Sequence, residues 1–200
     1  MEVTSAGLAE AGPAGRAILA SLALHRVSLF PLEDRFFAPY PGSKDFFRRA
    51  VAVCRSLALG ESAEQELAET LEEYNEIVQP DGEHVEEPDG PAAWGLDVLD
   101  IAGYALEVWD DPDAGAETVA DTLDAMHSFA DALEEMIAAP EGADPSEDLR
   151  VREIRRQVED LAGVRDATSG GAVDRAAVEN LHAASQPLAT AYRDRITLLP

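Results

Sequence analysis

Residues 91–109 read Pro-Ala-Ala-Trp-Gly-Leu-Asp-Val-Leu-Asp-Ile-Ala-Gly-Tyr-Ala-Leu-Glu-Val-Trp. Trp94, Val98, Ile101, Ala105 and Trp109 recur at steps of three to four, and Leu99, Gly103 and Leu106 line a second side. Only Asp97, Asp100, Tyr104 and Glu107 remain as a polar stripe. The period is that of a helix. A helix so widely apolar has to be surrounded, which places it in the middle of a bundle. Pro91 suits its first turn, where a missing N–H costs nothing.

Working outward, Asp110–Gly115 reads as a turn. The helix after it, to about Ala138, carries an apolar stripe of Val119, Leu123, Met126, Ala130, Leu133 and Ile137. These two helices are expected to form the hydrophobic centre. On the N-terminal side, residues 79–91 read as an acidic loop. Before it, Ser62 and Gln65 fit a capping box for a helix to about Val78, with Leu67, Leu71, Tyr74 and Val78 inward. Ser43 can cap another helix, to about Leu59, with Phe47, Ala50, Val51, Cys54 and Leu57 on its apolar face.

Pro13 can open the first helix, to about Phe30, with Ile18, Leu22, His25 and Leu29 at helical spacing. Beyond Pro140–Pro145, a helix with Val151, Ile154, Val158 and Leu161 inward and Arg152, Arg155 and Arg156 outward is expected. After Gly170 and Gly171 comes a last helix, with Val173, Ala177, Leu181, Ala184, Leu188 and Tyr192 inward, kinked or divided at Pro187. The expected fold is therefore all-α: a compact, mostly antiparallel bundle of about seven helices. Residues 1–12, small and mixed, read as a disordered leader, and 13–200 as a single helical domain.

Net charge is −25 at neutral pH, and it is unevenly spread. Ser56 to Leu149 carries 28 carboxylates and no Lys or Arg, whereas the flanking segments are slightly basic. Such a chain repels nucleic acid and anionic membrane surfaces and attracts cations. Two structural readings account for the block without a function. The basic terminal segments can dock on it, or the protein can be adapted to high salt. Fourteen Arg to one Lys, Lys44, fits a GC-rich genome. The apolar run Ala17–Leu24 is too short for a transmembrane span, and Glu2 and Glu10 precede Arg16, unlike a signal peptide, so the expected compartment is the cytoplasm. The one cysteine, Cys54, excludes an intrachain disulfide and a Cys-based zinc site.

The first helix, the Phe36-Phe37-x-Pro39-Tyr40 link, the helix Asp45–Leu57 and the pair Trp94-Gly95-Leu96-Asp97 and Glu117 to Glu135 together resemble the YjaG-like family of uncharacterised bacterial helical proteins. The resemblance runs over about residues 15–137 and more weakly over the tail. It implies a compact all-α fold and carries over no functional residue.

Asp124 and His127 stand at i, i+3, and Asp97 and Asp100 on the preceding helix can face them. Di-metal bundles need two copies of such a pair, and here there is one. A metal-binding bundle or metal-dependent enzyme using Asp97, Asp100, Asp124 and His127 is thus the alternative. No nucleophile elbow or phosphate loop appears, so no cofactor and no catalytic residue are expected. His84 lies in an acidic loop sequence, and His25 and His182 read as boundary residues.

More telling are the like-charge pairs Glu66–Glu69, Glu69–Glu72, Glu69–Glu73, Glu72–Glu76 and Glu73–Glu76, which together cost about 1–2 kcal/mol at low salt. With Glu83, Glu86 and Glu87 they make an acidic surface over residues 61–90. Either Lys44, Arg48, Arg49, Arg55 and the 150–156 Arg cluster relieve it, or a partner does. The leading expectation is a non-enzymatic cytosolic protein that presents this surface to a basic macromolecule, as an inhibitor or immunity protein does. A homo-oligomer is also open.

Overall fold

The computed structural model describes residues 5–80, 85, 88–111, 116–137 and 144–199, without the side chains of residues 5, 6, 116 and 145. Eight α-helices follow one another: α1 Ser5–Val27, α2 Asp34–Phe37, α3 Ser43–Ala58, α4 Glu64–Val78, α5 Pro91–Asp110, α6 Ala116–Met136, α7 Leu149–Thr168 and α8 Arg175–Ile196. A 3-10 turn, Pro145–Glu147, precedes α7, and no strand occurs among the described residues. This is the compact all-α bundle expected from the periodicity, with the four-residue α2 added where the aromatic link was read. No helix among the described residues is long and apolar enough to cross a membrane.

The centre differs from expectation. Helix α5 is surrounded by α1, α2, α3, α4 and α6, as its apolar circumference demands. Its central companion is α1, which touches α3, α5, α6, α7 and α8. Every residue from Gly15 to Val27 is buried. Arg16, Ser21, His25 and Arg26 are polar, yet all four lie inside. Helix α6, expected in the centre, packs on α1, α5 and α7 while keeping an outer face with Asp121 and Asp124 exposed.

The N-terminal segment is likewise corrected. Residues 5–11 are helical, and Leu8 and Ala11 are buried, so this part of the expected leader belongs to the core. Gly12 leaves the helical region (φ 68°, ψ 173°), and Pro13 restarts the helix as expected.

Two expected caps do not form. Gly42, at φ 85°, precedes α3, while the Ser43 hydroxyl is buried inside the first turn. Ala63 precedes α4 without a side-chain cap, and the Ser62 hydroxyl instead donates to Glu64 Oε2 at 2.6 Å. Aspartates do the capping at α7 and α8: Asp148 accepts from the Arg150 N–H, and Asp174 accepts from those of Ala176 and Ala177.

The last two helices are rotated from their expected registers. On α7 the buried positions are Leu149, Glu153, Gln157, Asp160, Leu161, Val164 and Ala167, and Val151 is 42% exposed. On α8 they are Val178, His182, Ser185, Leu188, Ala189, Tyr192 and Ile196, with Val173 and Ala184 exposed. Helix α8 also runs unbroken through Pro187. The carbonyl that the proline leaves without its donor belongs to Ala183, which is exposed and can be solvated.

Candidate functional site

Helix α4 lies at the edge of the bundle, packed mainly on α3 and α5. It buries Leu67, Thr70, Tyr74 and Val78. Its seat on α5 depends on Gly103, where a Cβ would come within 2.2 Å of the Tyr74 ring. The same ring stacks on Phe46 of α3, and its hydroxyl donates to Asp100 Oδ1 at 3.2 Å. Burial, with Asp100 and Glu107 beside it, pushes the Tyr74 phenol far up, so the phenol stays a neutral donor. With this face held inward, Glu66, Glu69, Glu72 and Glu76 are left exposed along the opposite side.

Cations reach this segment at two points among the described residues. Arg49 Nη1 meets Glu73 Oε2 at 2.8 Å, and Arg175 Nη2 meets Glu61 Oε1 at 2.9 Å. The remaining polar contacts are neutral: Gln65 Nε2 donates to Glu69 Oε1 at 2.8 Å. Lys44 pairs with Asp34, and Arg48 pairs with Asp45. Three arginines of the α7 cluster, a candidate to cover α4, are used elsewhere. Arg150 takes Asp131 and Asp148, Arg152 takes Glu147, and Arg156 takes Glu159 and Asp160. Intramolecular docking of basic segments therefore neutralises Glu73 and Glu61, and among the described residues no Lys or Arg pairs with Glu66, Glu72 or Glu76.

Beside the acidic stripe runs an open groove of about 730 Å³, lined by Ala68, Leu71, Glu72, Asn75, Glu76 and Gln79. Half-buried Leu71 supplies an apolar floor and the glutamates supply one charged wall. An elongated basic segment with an apolar side chain matches that combination. Glu83, Glu86 and Glu87, together with His84, lie outside the described residues.

The four candidate metal ligands are not brought together. Asp100 is engaged by Tyr74 between α4 and α5. Asp97 is exposed and lines a different cleft, and Asp124 is exposed on α6. Among the described residues, no three His, Cys, Asp or Glu side chains are grouped so as to hold a metal ion. Asp100 has acidic company instead. Burial raises the Glu107 carboxyl, and Asp121 and Asp100 raise it further.

The sequence reading missed two buried clusters. In the first, Arg26 Nη2 meets Glu153 Oε1 at 2.7 Å and its Nη1 meets Asp160 Oδ2 at 2.8 Å. Tyr192 donates to Glu153 Oε2, Gln157 donates to Glu153 Oε1, and Arg156 Nε donates to Asp160 Oδ1. Two guanidinium groups thus balance two carboxylates. The polar spacing Glu153, Gln157, Asp160 on one helical face was the readable signal. In the second, His25 and His182, read as boundary residues, are buried and meet edge to face with centroids 4.9 Å apart.

Comparison with protein-family models, with curated proteins and with solved structures finds no match to the chain.

Proposed function

We propose that the chain is a non-enzymatic cytoplasmic binding protein whose α4 face receives a basic protein. The observation that carries this reading is the exposed row Glu66, Glu69, Glu72 and Glu76, reached by none of the described Lys or Arg side chains and flanked by a groove. Like charges at these spacings destabilise the isolated helix. A cationic partner relieves the repulsion and gains from it twice. Its encounter is steered by the long-range field, and its apolar groups have Leu71 and Ala68 to cover. Small acidic inhibitors and immunity proteins meet basic enzymes by this physics.

Affinity capture from a bacterial lysate at low and high salt tests the reading. The quadruple variant Glu66→Gln, Glu69→Gln, Glu72→Gln, Glu76→Gln runs in parallel. The expected result is one or a few basic proteins retained by the natural chain, released by salt and absent with the variant. Retention of the same proteins by the variant, or recovery of no basic protein, overturns the proposal.

A further inference from the structure

We propose that the contact between α1 and α8 is an acid-operated latch, in which a proton taken up at the His25–His182 pair favours release of α8 by an opening short of full unfolding. None of the α4 carboxylates takes part, so the latch stands or falls independently of the basic-partner reading.

The pair lies where α1 and α8 face each other. His25 is 9% exposed and His182 is 4% exposed, and their rings meet edge to face with centroids 4.9 Å apart. Among the described residues, His25 Nε2 and both ring nitrogens of His182 have no hydrogen-bond partner, and neither has the buried Ser185 hydroxyl, one turn further along α8. Two neutral rings pack here as aromatic groups do. A protonated ring is a buried cation that needs an acceptor at each nitrogen or an opposite charge.

The charged neighbours have the wrong sign for that. Arg55 of α3 and Arg26 of α1 act on His25, and Arg55 acts on His182. On α7, Glu153 and Asp160 are taken up by Arg26, and on α8 Glu179 pairs with Arg175. Gln186 and the His182 backbone favour the charged form of His25 in part. For His182, burial, His25 and Arg55 all disfavour it.

The packing of α8 allows it to leave alone. It rests chiefly on α1 and α7 and only lightly on α6. The Arg26 pairs with Glu153 and Asp160 tie α1 to α7 without α8, whose share in that network is the Tyr192 hydroxyl. Release uncovers Val178, Leu188, Ala189 and Ile196. Held at about 4 in the closed form against 6.5 when free, His182 takes up its proton more readily once released. Opening is therefore favoured as pH falls from about 6.5 towards 4, by about thirtyfold between pH 8 and pH 5 for His182 alone. Burial raises the Asp160 and Glu107 carboxyls, which makes them stabilise the fold on acidification, so they oppose this effect rather than imitate it.

Peptide-resolved hydrogen exchange of the full chain between pH 8 and pH 5, corrected for the intrinsic pH dependence of amide exchange, tests the latch. Protection of α8 is expected to lie below that of α5 and to fall about thirtyfold over the range. A weaker urea dependence in α8 than in α5 marks an opening short of full unfolding. Arg55→Gln, at an exposed position, removes a neighbouring cation and should make the fall smaller. His25→Leu with His182→Leu should abolish it. Nuclear magnetic resonance of the imidazoles in the natural chain needs no variant, and His182 should stay neutral there down to about pH 5. Equal protection of α8 and α5 at every pH overturns the proposal, as does an α8 protection that pH leaves unchanged. So does a fall that persists undiminished in the double variant, or a His182 ring that titrates near 6.5 while α8 remains protected.

Discussion

The Arg26 guanidinium is 1% exposed and lies between Glu153 and Asp160, which are 0% and 1% exposed. A buried ion pair of this kind is weak evidence of net stabilisation, because its desolvation offsets most of the attraction. Its removal by halves is a different matter. Arg26→Met leaves two carboxylates inside with only Arg156 to face them. The expected loss is about 3–5 kcal/mol, read from urea unfolding. A loss under about 1 kcal/mol, the range of an exposed pair, would mean that the network does not hold α1 to α7.

The histidine pair makes a prediction in pH. Burial, then His25, then Arg55 push the His182 imidazole down from 6.5 to about 4. Burial, with Arg55 and Arg26, also lowers His25, partly offset by Gln186 and by the His182 backbone. Both rings are therefore neutral in the folded chain at pH 7, whereas an unfolded chain protonates them near 6.5. The unfolded state binds more protons, so the stability associated with the pair is complete above about 6.5 and is lost as pH falls towards 4. For His182 alone the loss between pH 8 and pH 5 is about 2 kcal/mol. Denaturant unfolding of His182→Leu should show a correspondingly smaller decline over that window. A variant that declines as steeply as the natural chain would remove His182 from the account.

Helix α4 is stable for reasons that lie outside it. Its acidic pairs oppose helix formation, no side chain caps it, and Tyr74 and Leu67 hold it against α5 and α3. The quadruple Gln variant keeps the apolar face and removes all five like-charge pairs. It should therefore be more stable than the natural chain by about 1–2 kcal/mol at low salt, with the difference shrinking as salt is added. Thermal unfolding at two ionic strengths measures it. An unchanged or lowered melting temperature would mean that the carboxylates are already neutralised within the chain. Such a stability cost is what the basic-partner proposal requires of this face.

The 28 carboxylates between Ser56 and Leu149 also repel one another over longer distances. Screening shortens that reach, from about 30 Å at 0.01 M salt to about 3 Å at 1 M. The melting temperature of the entire chain should accordingly rise with sodium chloride, even in the quadruple variant. A rise that vanishes in the variant would confine the repulsion to α4. A rise that persists into molar salt would favour adaptation to a saline interior as the origin of the acidity.

Periodicity in the chain was enough to read the all-α class, the span of α5 and the inward face of α4, because each rests on local spacing of apolar groups. Trp94 to Trp109 needs no partner to declare itself buried on nearly all sides. The exposed row on α4 was legible for the same reason: its glutamates fall opposite Leu67, Tyr74 and Val78 on one helix.

The roles of α1, α7 and α8 were not legible. Arg26, Glu153 and Asp160 are separated by more than a hundred residues across the pair of helices they join, and each alone reads as a surface charge. Only when packing brings opposite charges within 3 Å does burial become tolerable, and with it the rotated registers of both terminal helices. The clefts belong to the same class of fact. Trp94, Met136 and Leu199 acquire a common wall from the way three distant segments close, and spacing along one helix holds no record of that. Local periodicity determined which residues seek the interior. Tertiary packing decided which polar groups could join them there, because a buried charge is allowed only by the neighbour that pairs with it.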